Sequence, residues 1–163
     1  MQQDPEFGVR QLMDIAVKAL SPSINDPTTA VTCLDYLGLL FLEIADQEDP
    51  PTCRADDGGS LRLVGRGASF ESLLAHGFDQ IRQHLQAEVG VTIRFLSVLA
   101  RIGARVHVAE RRTMLWTQAH EAVRRADCTI DAERDRHSVN EALCKLAAAL
   151  HTDPAPLLLA IPR

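Results

Sequence analysis

The sequence has none of the short motifs that carry nucleotide, metal or nucleophile chemistry. It contains no Gly-Lys-Ser/Thr and no Gly-x-Ser-x-Gly, and its six histidines show no metal-binding spacing. The pair His120-Glu121 is not followed by the second histidine that a zinc-protease helix needs. No catalytic residue, no metal and no cofactor is therefore predicted, and the sequence favours a non-enzymatic protein.

Cysteine pairs and excess positive charge are also missing. The four cysteines are scattered without Cys-x-x-Cys spacing, which favours reduced thiols over disulfides. Lysine and arginine total 17 against 22 aspartate and glutamate, so the formal net charge is −5. Because a net-acidic surface repels a phosphate backbone, nucleic acid is not an expected partner.

Long uncharged apolar runs are absent as well. The longest apolar segments are residues 30–45 and 89–106, and both carry charged side chains. A bilayer is crossed by roughly 20 mostly uncharged residues, so neither segment is expected to span one. The N-terminal MQQDPEF has no basic region followed by an apolar run, so no signal peptide is expected. We predict that the chain as given is soluble.

Helical periodicity dominates what is present. Apolar residues recur three, four and seven positions apart, as on one face of a helix, in six segments. These segments cover residues 6–20, 27–46, 69–86, 89–106, 110–126 and 131–151. The spacing predicts an all-α bundle of about six helices, folded as a single helical domain over residues 1–151.

One stretch departs from this period. Residues 47–65 are predicted to form a loop or hairpin insertion, because Pro50-Pro51 and Asp57-Gly58-Gly59 are turn signals. Leu61–Val64 alternates in the manner of a strand, which predicts one short β-hairpin or strand near residues 52–65. The proline-rich C-terminal tail, residues 152–163, either docks on the core or frays.

A rigid corner separates the first two helices. Pro22 ends the first helix, Asp26 caps the second, and Pro27 occupies its first position, where a missing N–H costs nothing. Neither the end of the first helix nor the cap of the second requires Asn25. Its amide either caps a helix or meets a ligand beside the free N–H groups of the second helix.

Charged side chains at helical spacing give the other candidate positions. Arg10, Asp14 and Lys18 lie one above another on the first helix, and they form either a solvated face or the lining of a site. Asp79 and Arg82 share the polar face of a later helix, where a surface ion pair is the ordinary interpretation.

Two further surfaces remain open to interpretation. The predicted helix 27–46 is apolar nearly all round, which is typical of a helix that is central in a core or covered by a partner. Arg94, Arg101 and Arg105 form a basic stripe on another helix. That stripe meets acidic lipid, the carboxylates of a neighbouring helix, or solvent.

The opening run QDPEFGVRQLMDIAVKALSPSINDPTTAVTCLDYL resembles the soluble C-terminal part of a bacterial family of predicted integral membrane proteins, domain of unknown function 2254. The stretches GGSLRLVGRGASFESLLAHGFDQIRQ and VTIRFLSVLARIGARV also fit that family. The resemblance implies transmembrane helices before residue 1 in the natural protein and a place at the cell membrane. We expect the soluble part on the cytoplasmic side, although nothing in the sequence fixes the side. It supplies no catalytic residue and no ligand.

Two functional hypotheses follow. The preferred one is a soluble, non-catalytic assembly or regulatory domain of a membrane protein, whose partners are the transmembrane part of the same protein and further copies of itself. The alternative is a small-molecule or anion-binding domain, or an enzyme, with a pocket at Arg10, Asp14, Asn25, Asp79 and Arg82. These five residues and Asp26 are the predicted ligand-binding or interface residues.

Overall fold

The computed structural model describes residues 5–51, 53–55, 61–64, 68–85 and 88–161. Six α-helices make up most of this part of the chain, and the predicted all-α bundle is confirmed. They are α1 (Pro5–Ala19), α2 (Pro27–Ile44), α3 (Phe70–Gln83), α4 (Val89–Gly103), α5 (Ala109–Thr129) and α6 (Glu133–Leu150). Each lies where the apolar period predicted a helix, because that period is what gives a helix a face to bury.

Five of the helices form a closed ring. α1 packs against α2 and α3, α2 also packs against α4, and α5 completes the circle by contacting both α4 and α3. α6 lies outside the ring, against α4 and α5. The inward faces of the ring helices therefore share one core, and α4 and α5 are the helices that bury a second face as well.

Four phenylalanines occupy the interior of the ring. Phe41 of α2 contacts Phe70 and Phe78 of α3, with ring centroids 5.4 Å apart in both pairs. Phe78 in turn contacts Phe95 of α4 at 5.6 Å. All three pairs meet edge to face, the arrangement that the quadrupole of an aromatic ring favours. This cluster joins α3 to α2 and α4, neither of which is its neighbour around the ring.

α2 is the most apolar helix, yet it buries only one face. Its inward residues include Leu34, Leu37 and Phe41, whereas Tyr36 and Leu39 are exposed. By length and composition this helix is capable of crossing a membrane, so the expectation that no segment qualifies was wrong. The mean hydropathy of the whole helix is high in spite of its two acidic residues. A core helix of a soluble protein can have the same length and apolar composition, so these properties do not place α2 in a bilayer.

Between α2 and α3 the chain leaves the ring. Strand β1 (Cys53–Ala55) pairs antiparallel with strand β2 (Leu61–Val64), with Cys53 opposite Val64. The turn signal predicted between them, Asp57-Gly58-Gly59, lies outside the described part of the chain. The pair is an excursion from a helical domain.

The described part of the C-terminal tail is docked. The side chain of Asn140 donates to the carbonyl of Leu159 at 3.0 Å and accepts from its N–H at 2.8 Å. Arg136 donates to the carbonyl of Ala160 at 2.9 Å, and the side chain of Leu159 is buried. Side chains of α6 therefore recognise the backbone of the tail.

The aromatic cluster predicts where the fold is most sensitive. Replacing Phe41 by alanine is expected to lower the free energy of unfolding by about 3–5 kcal/mol, because it opens a cavity at the centre of the ring. The matched control is Phe7→Ala, since Phe7 is 62% exposed on α1 and its loss is expected to stay within about 0.5 kcal/mol. Urea unfolding followed by circular dichroism measures both, and equal losses for the two variants would contradict the assignment of Phe41 to the core.

Candidate functional site

The corner between α1 and α2 is closed by its own backbone. The N–H of Asp26 donates to the carbonyl of Ala19 at 2.8 Å, and the N–H of Asn25 donates to Ser21 at 2.9 Å. The hydroxyl of Ser21 donates to the carbonyl of Lys18 at 2.7 Å. The carbonyls of Lys18 and Ala19, the last two of α1, are therefore satisfied within the corner, as a helix end requires.

Asn25 has a conformational role in this corner. Its φ angle is +47°, in the left-handed region that asparagine tolerates better than most residues. Its side chain is exposed and makes no hydrogen bond within the described residues. The helix cap is Asp26 instead, so the backbone accounts for asparagine at this position without a ligand.

Asp26 caps α2 as predicted. Its carboxylate accepts hydrogen bonds from the hydroxyl of Thr29 and, at 3.1 Å, from the N–H of Thr29. These two bonds, the hydroxyl first, hold the pKa of Asp26 below its ordinary value of 3.8. The negative charge also suits the N-terminal end of the helix dipole. The start of α2 is therefore already occupied by an anion of the chain itself.

The charged stripe of α1 faces outward. Arg10, Asp14 and Lys18 are all exposed, and no hydrogen bond or ion pair within the described residues involves their side chains. Of the two readings that the sequence allowed, this placement corresponds to a solvated helix face.

Asp79 and Arg82 belong to a polar network between α3 and α5. Arg82 donates from Nε to Oε1 of Gln118 at 2.9 Å, and Gln118 donates from Nε2 to Oδ1 of Asp79 at 2.6 Å. The direct Arg82–Asp79 contact is longer, at 3.4 Å, and Glu121 lies 3.9 Å from Nη1 of Arg82. The side chain of Arg82 is only 15% exposed. The pair is therefore part of an interhelical contact rather than an isolated surface pair.

The predicted site residues thus fall into two groups. Arg10, Asp14 and Asn25 are exposed on α1 and its corner, whereas Asp79 and Arg82 bond to α5. No hydrogen bond or ion pair in the described part of the chain joins one group to the other. A single pocket containing all five stays a prediction.

The basic stripe, which lies on α4 and just after its end, meets carboxylates of α2 and of the turn that follows α2. Arg94 and Arg101 lie 3.5 and 3.7 Å from the same oxygen of Asp35, and Arg105 lies 3.9 Å from Asp46. The second of the three partners that the sequence allowed, a neighbouring helix, is therefore the one observed. These partly exposed pairs contribute little to stability individually, but they align α2 with α4.

Two buried arginines were missed in the sequence. Arg111 donates to the carbonyls of Ile44 and Ala45 at 3.1 and 2.9 Å and to the carboxylate of Asp49 at 2.8 Å. Its guanidinium also lies 4.7 Å from the ring centre of Phe70. The available signal was its position four residues before Leu115, on the inward face of α5.

Arg136 occupies the corresponding position on α6, three residues before the inward Val139. It donates to the carbonyls of Asp127 and Ile130 at 2.8 and 2.7 Å, and to the Asp127 carboxylate at 2.7 Å. These bonds cap the C-terminal end of α5. In both cases an arginine in an apolar stripe marks a helix end that needs donors.

The described surface includes two open clefts. One, of about 380 Å³, surrounds Arg111 and has several acidic side chains in its lining, including Asp46, Asp49 and Glu110. The other, of about 410 Å³, lies between α3 and the end of α5 and contains Arg82. Within the described residues no three His, Cys, Asp or Glu side chains come together in a way that suits a metal ion, and the expectation of no cofactor stays a prediction.

Comparisons with known proteins give relatives but no activity. The family model described as "Predicted membrane protein (DUF2254)" matches residues 1–101. The uncharacterized proteins Rv1290c of Mycobacterium tuberculosis and Mb1321c of Mycobacterium bovis are each 34% identical to this chain over 139 residues, or 85% of it. The chain spans 27% of the length of these relatives. No solved structure matches.

The left-handed backbone of Asn25 makes a prediction about its substitutions. Asn25→Gly is expected to keep or raise stability, whereas Asn25→Ala is expected to lower it by about 1 kcal/mol, because alanine is strained at positive φ. Chemical unfolding of both variants measures the difference. Equal destabilisation by glycine and alanine would mean that the amide itself makes a stabilising contact.

The lowered pKa of Asp26 predicts how its contribution varies with pH. Because the folded form holds the proton less tightly, the carboxylate stabilises the fold above its ordinary pKa of 3.8. That contribution is lost as the pH falls through the lower folded-state pKa. Asp26→Ala should therefore reduce the thermal midpoint at neutral pH, and the deficit should narrow in acid. Asp14→Ala, on the exposed stripe, is the control, and a deficit for Asp26→Ala that widens in acid would contradict the assignment.

Proposed function

Because this chain belongs to the DUF2254 family of predicted membrane proteins, we propose that it is a soluble, non-catalytic assembly or regulatory domain of a larger membrane protein. Its partners are the transmembrane part of that protein and further copies of this chain, on the cytoplasmic side of the cell membrane. The length of the mycobacterial relatives, of which the chain spans 27%, supports the idea of a larger whole.

The observation that carries this proposal is the outward face of α2. Tyr36, Leu39 and Leu40 are 56%, 51% and 44% exposed, and their spacing of three and four residues places them on one side of the helix. On α1, which packs against α2, Phe7 and Ile15 are exposed as well. Grouped apolar side chains with no cover are typical of interaction surfaces.

The arrangement of residues along this face suits a second copy of the chain. Thr32 and Glu43 are exposed at its two ends, on either side of Tyr36, Leu39 and Leu40. Two such helices packed antiparallel about a two-fold axis would set apolar centre against apolar centre. Each Glu43 would then lie opposite Thr32 of the other copy, so that the like charges stay apart. An apolar centre with a polar rim is the usual anatomy of an interface.

The alternative of a five-residue binding pocket gains no support from polar contacts in the described residues. Arg10 and Asp14 have none, and Asn25 has a sufficient structural reason in its φ angle. Of these residues, Arg82 is the one that keeps a physical basis for ligand binding.

Self-association tests the proposal. In analytical ultracentrifugation the chain is expected to form dimers or larger oligomers in a concentration-dependent manner. The double variant Leu39→Glu, Leu40→Glu should weaken association about tenfold or more, because it places charge in the apolar centre.

The matched control is Leu158→Glu in the tail, since Leu158 is 43% exposed and Leu40 is 44% exposed. It should leave association unchanged. Circular dichroism establishes that every variant keeps its helical content. A monomer at all concentrations, both for this chain and for the longer protein that contains it, would contradict the proposal.

A further inference from the structure

The cleft between α3 and the end of α5 is basic, although the chain as a whole is acidic. The chain carries a formal net charge of −5, yet three arginines, Arg82, Arg124 and Arg125, line this cleft with a single carboxylate, Glu121. Its charged lining is therefore formally +2 at neutral pH. We propose that this cleft binds an oxyanion of the phosphate class, as a free phosphate or as the headgroup of a lipid.

The guanidinium groups have donors to spare. Glu121 lies 3.9 Å from Nη1 of Arg82 and 3.8 Å from Nη1 of Arg124, and both distances exceed those of a hydrogen bond. Neither nitrogen makes a hydrogen bond elsewhere in the described residues. An oxyanion between these two arginines would accept from both, and charge-assisted bonds of this kind are among the strongest in proteins.

Arg82 is positioned before any ligand arrives. Its bond from Nε to Gln118, at 2.9 Å, fixes the plane of the guanidinium, and its side chain is only 15% exposed. A cation held in place at the base of a cleft loses less entropy on binding than a mobile surface lysine. The side chain of Arg124 is 70% exposed, so it can adjust its position to the ligand.

The C-terminal end of a helix normally repels anions, because its free carbonyls carry partial negative charge. Here Arg136 donates to the carbonyls of Asp127 and Ile130 at the end of α5. This cap offsets part of the unfavourable potential near the cleft.

The inference is independent of the proposed self-association, because the cleft contains no residue of α1 or α2.

The test uses the whole chain and two probes. Binding of inorganic phosphate is followed by the shift of the thermal midpoint against sodium chloride of equal ionic strength. Binding to a headgroup is followed by co-sedimentation with phosphatidylcholine vesicles, with and without phosphatidylglycerol. A saturable response to phosphate alone identifies a free oxyanion, and a response confined to, or stronger on, the anionic vesicles identifies a headgroup.

Three variants make the test specific. Arg124→Gln, Arg125→Gln together should weaken binding about tenfold or more, and both side chains lie on the surface, where their loss does not threaten the fold. Arg82→Gln should weaken it similarly but also breaks the bond to Gln118. Glu121→Gln should tighten binding several-fold, because it removes the carboxylate that competes with the ligand.

The control with the same loss of charge combines Arg94→Gln on α4 with Arg105→Gln two residues after its end, and it should leave binding unchanged. The proposal is overturned if neither probe binds saturably, if the α4 control loses binding as much as the Arg124, Arg125 variant, or if Glu121→Gln weakens binding.

Discussion

The buried guanidinium of Arg111 is the point on which the helix ring depends. It binds the last carbonyls of α2 and the carboxylate of Asp49, which also accepts from the N–H of Phe70 at 2.9 Å. The end of α2, the start of α3 and the start of α5 therefore meet at one side chain. Desolvating a charged group is costly, so such a residue persists only when its donors are satisfied, as they are here. Because the chain leaves and rejoins the ring at this point, the strand pair between α2 and α3 can extend outward without loosening the core.

Periodicity predicted the helices well, since an apolar face of period 3.6 is a local property of the sequence. Capping at Asp26 was equally local, and the predicted cap is observed. The lateral order of the helices was not predictable in this way. It depends on which faces fit together, for example on Gly38, where an added Cβ would lie 3.0 Å from Val98 of α4. The spacing of apolar residues along the sequence does not predict which helix faces fit together in this way.

The candidate site shows the same limit more sharply. A spacing of four residues correctly placed Arg10 and Asp14 on one face, but it did not say that this face would point to solvent. Asp79 and Arg82 were recognised as a pair, whereas their decisive partner, Gln118, is 36 residues beyond Arg82 and uncharged. Arg111 and Arg136 were passed over because an arginine within an apolar stripe resembles an interruption. In the folded chain each is the donor that a neighbouring helix end requires.

The two proposed surfaces lie on different parts of the ring, and the core defines how they are related. The outward face of α2 belongs to a helix whose neighbours are α1 and α4, whereas the arginine cleft is formed by α3 and α5. A partner on α2 therefore leaves the cleft open, and a ligand in the cleft leaves α2 accessible. The packed connection between them runs through Phe41 of α2 and Phe78 of α3, one helical turn before Arg82. Since a close-packed interior does not deform continuously, a displacement of α2 on assembly would be passed to α3 at this aromatic contact, and to the other cleft helix, α5, through α4, which packs against both α2 and α5.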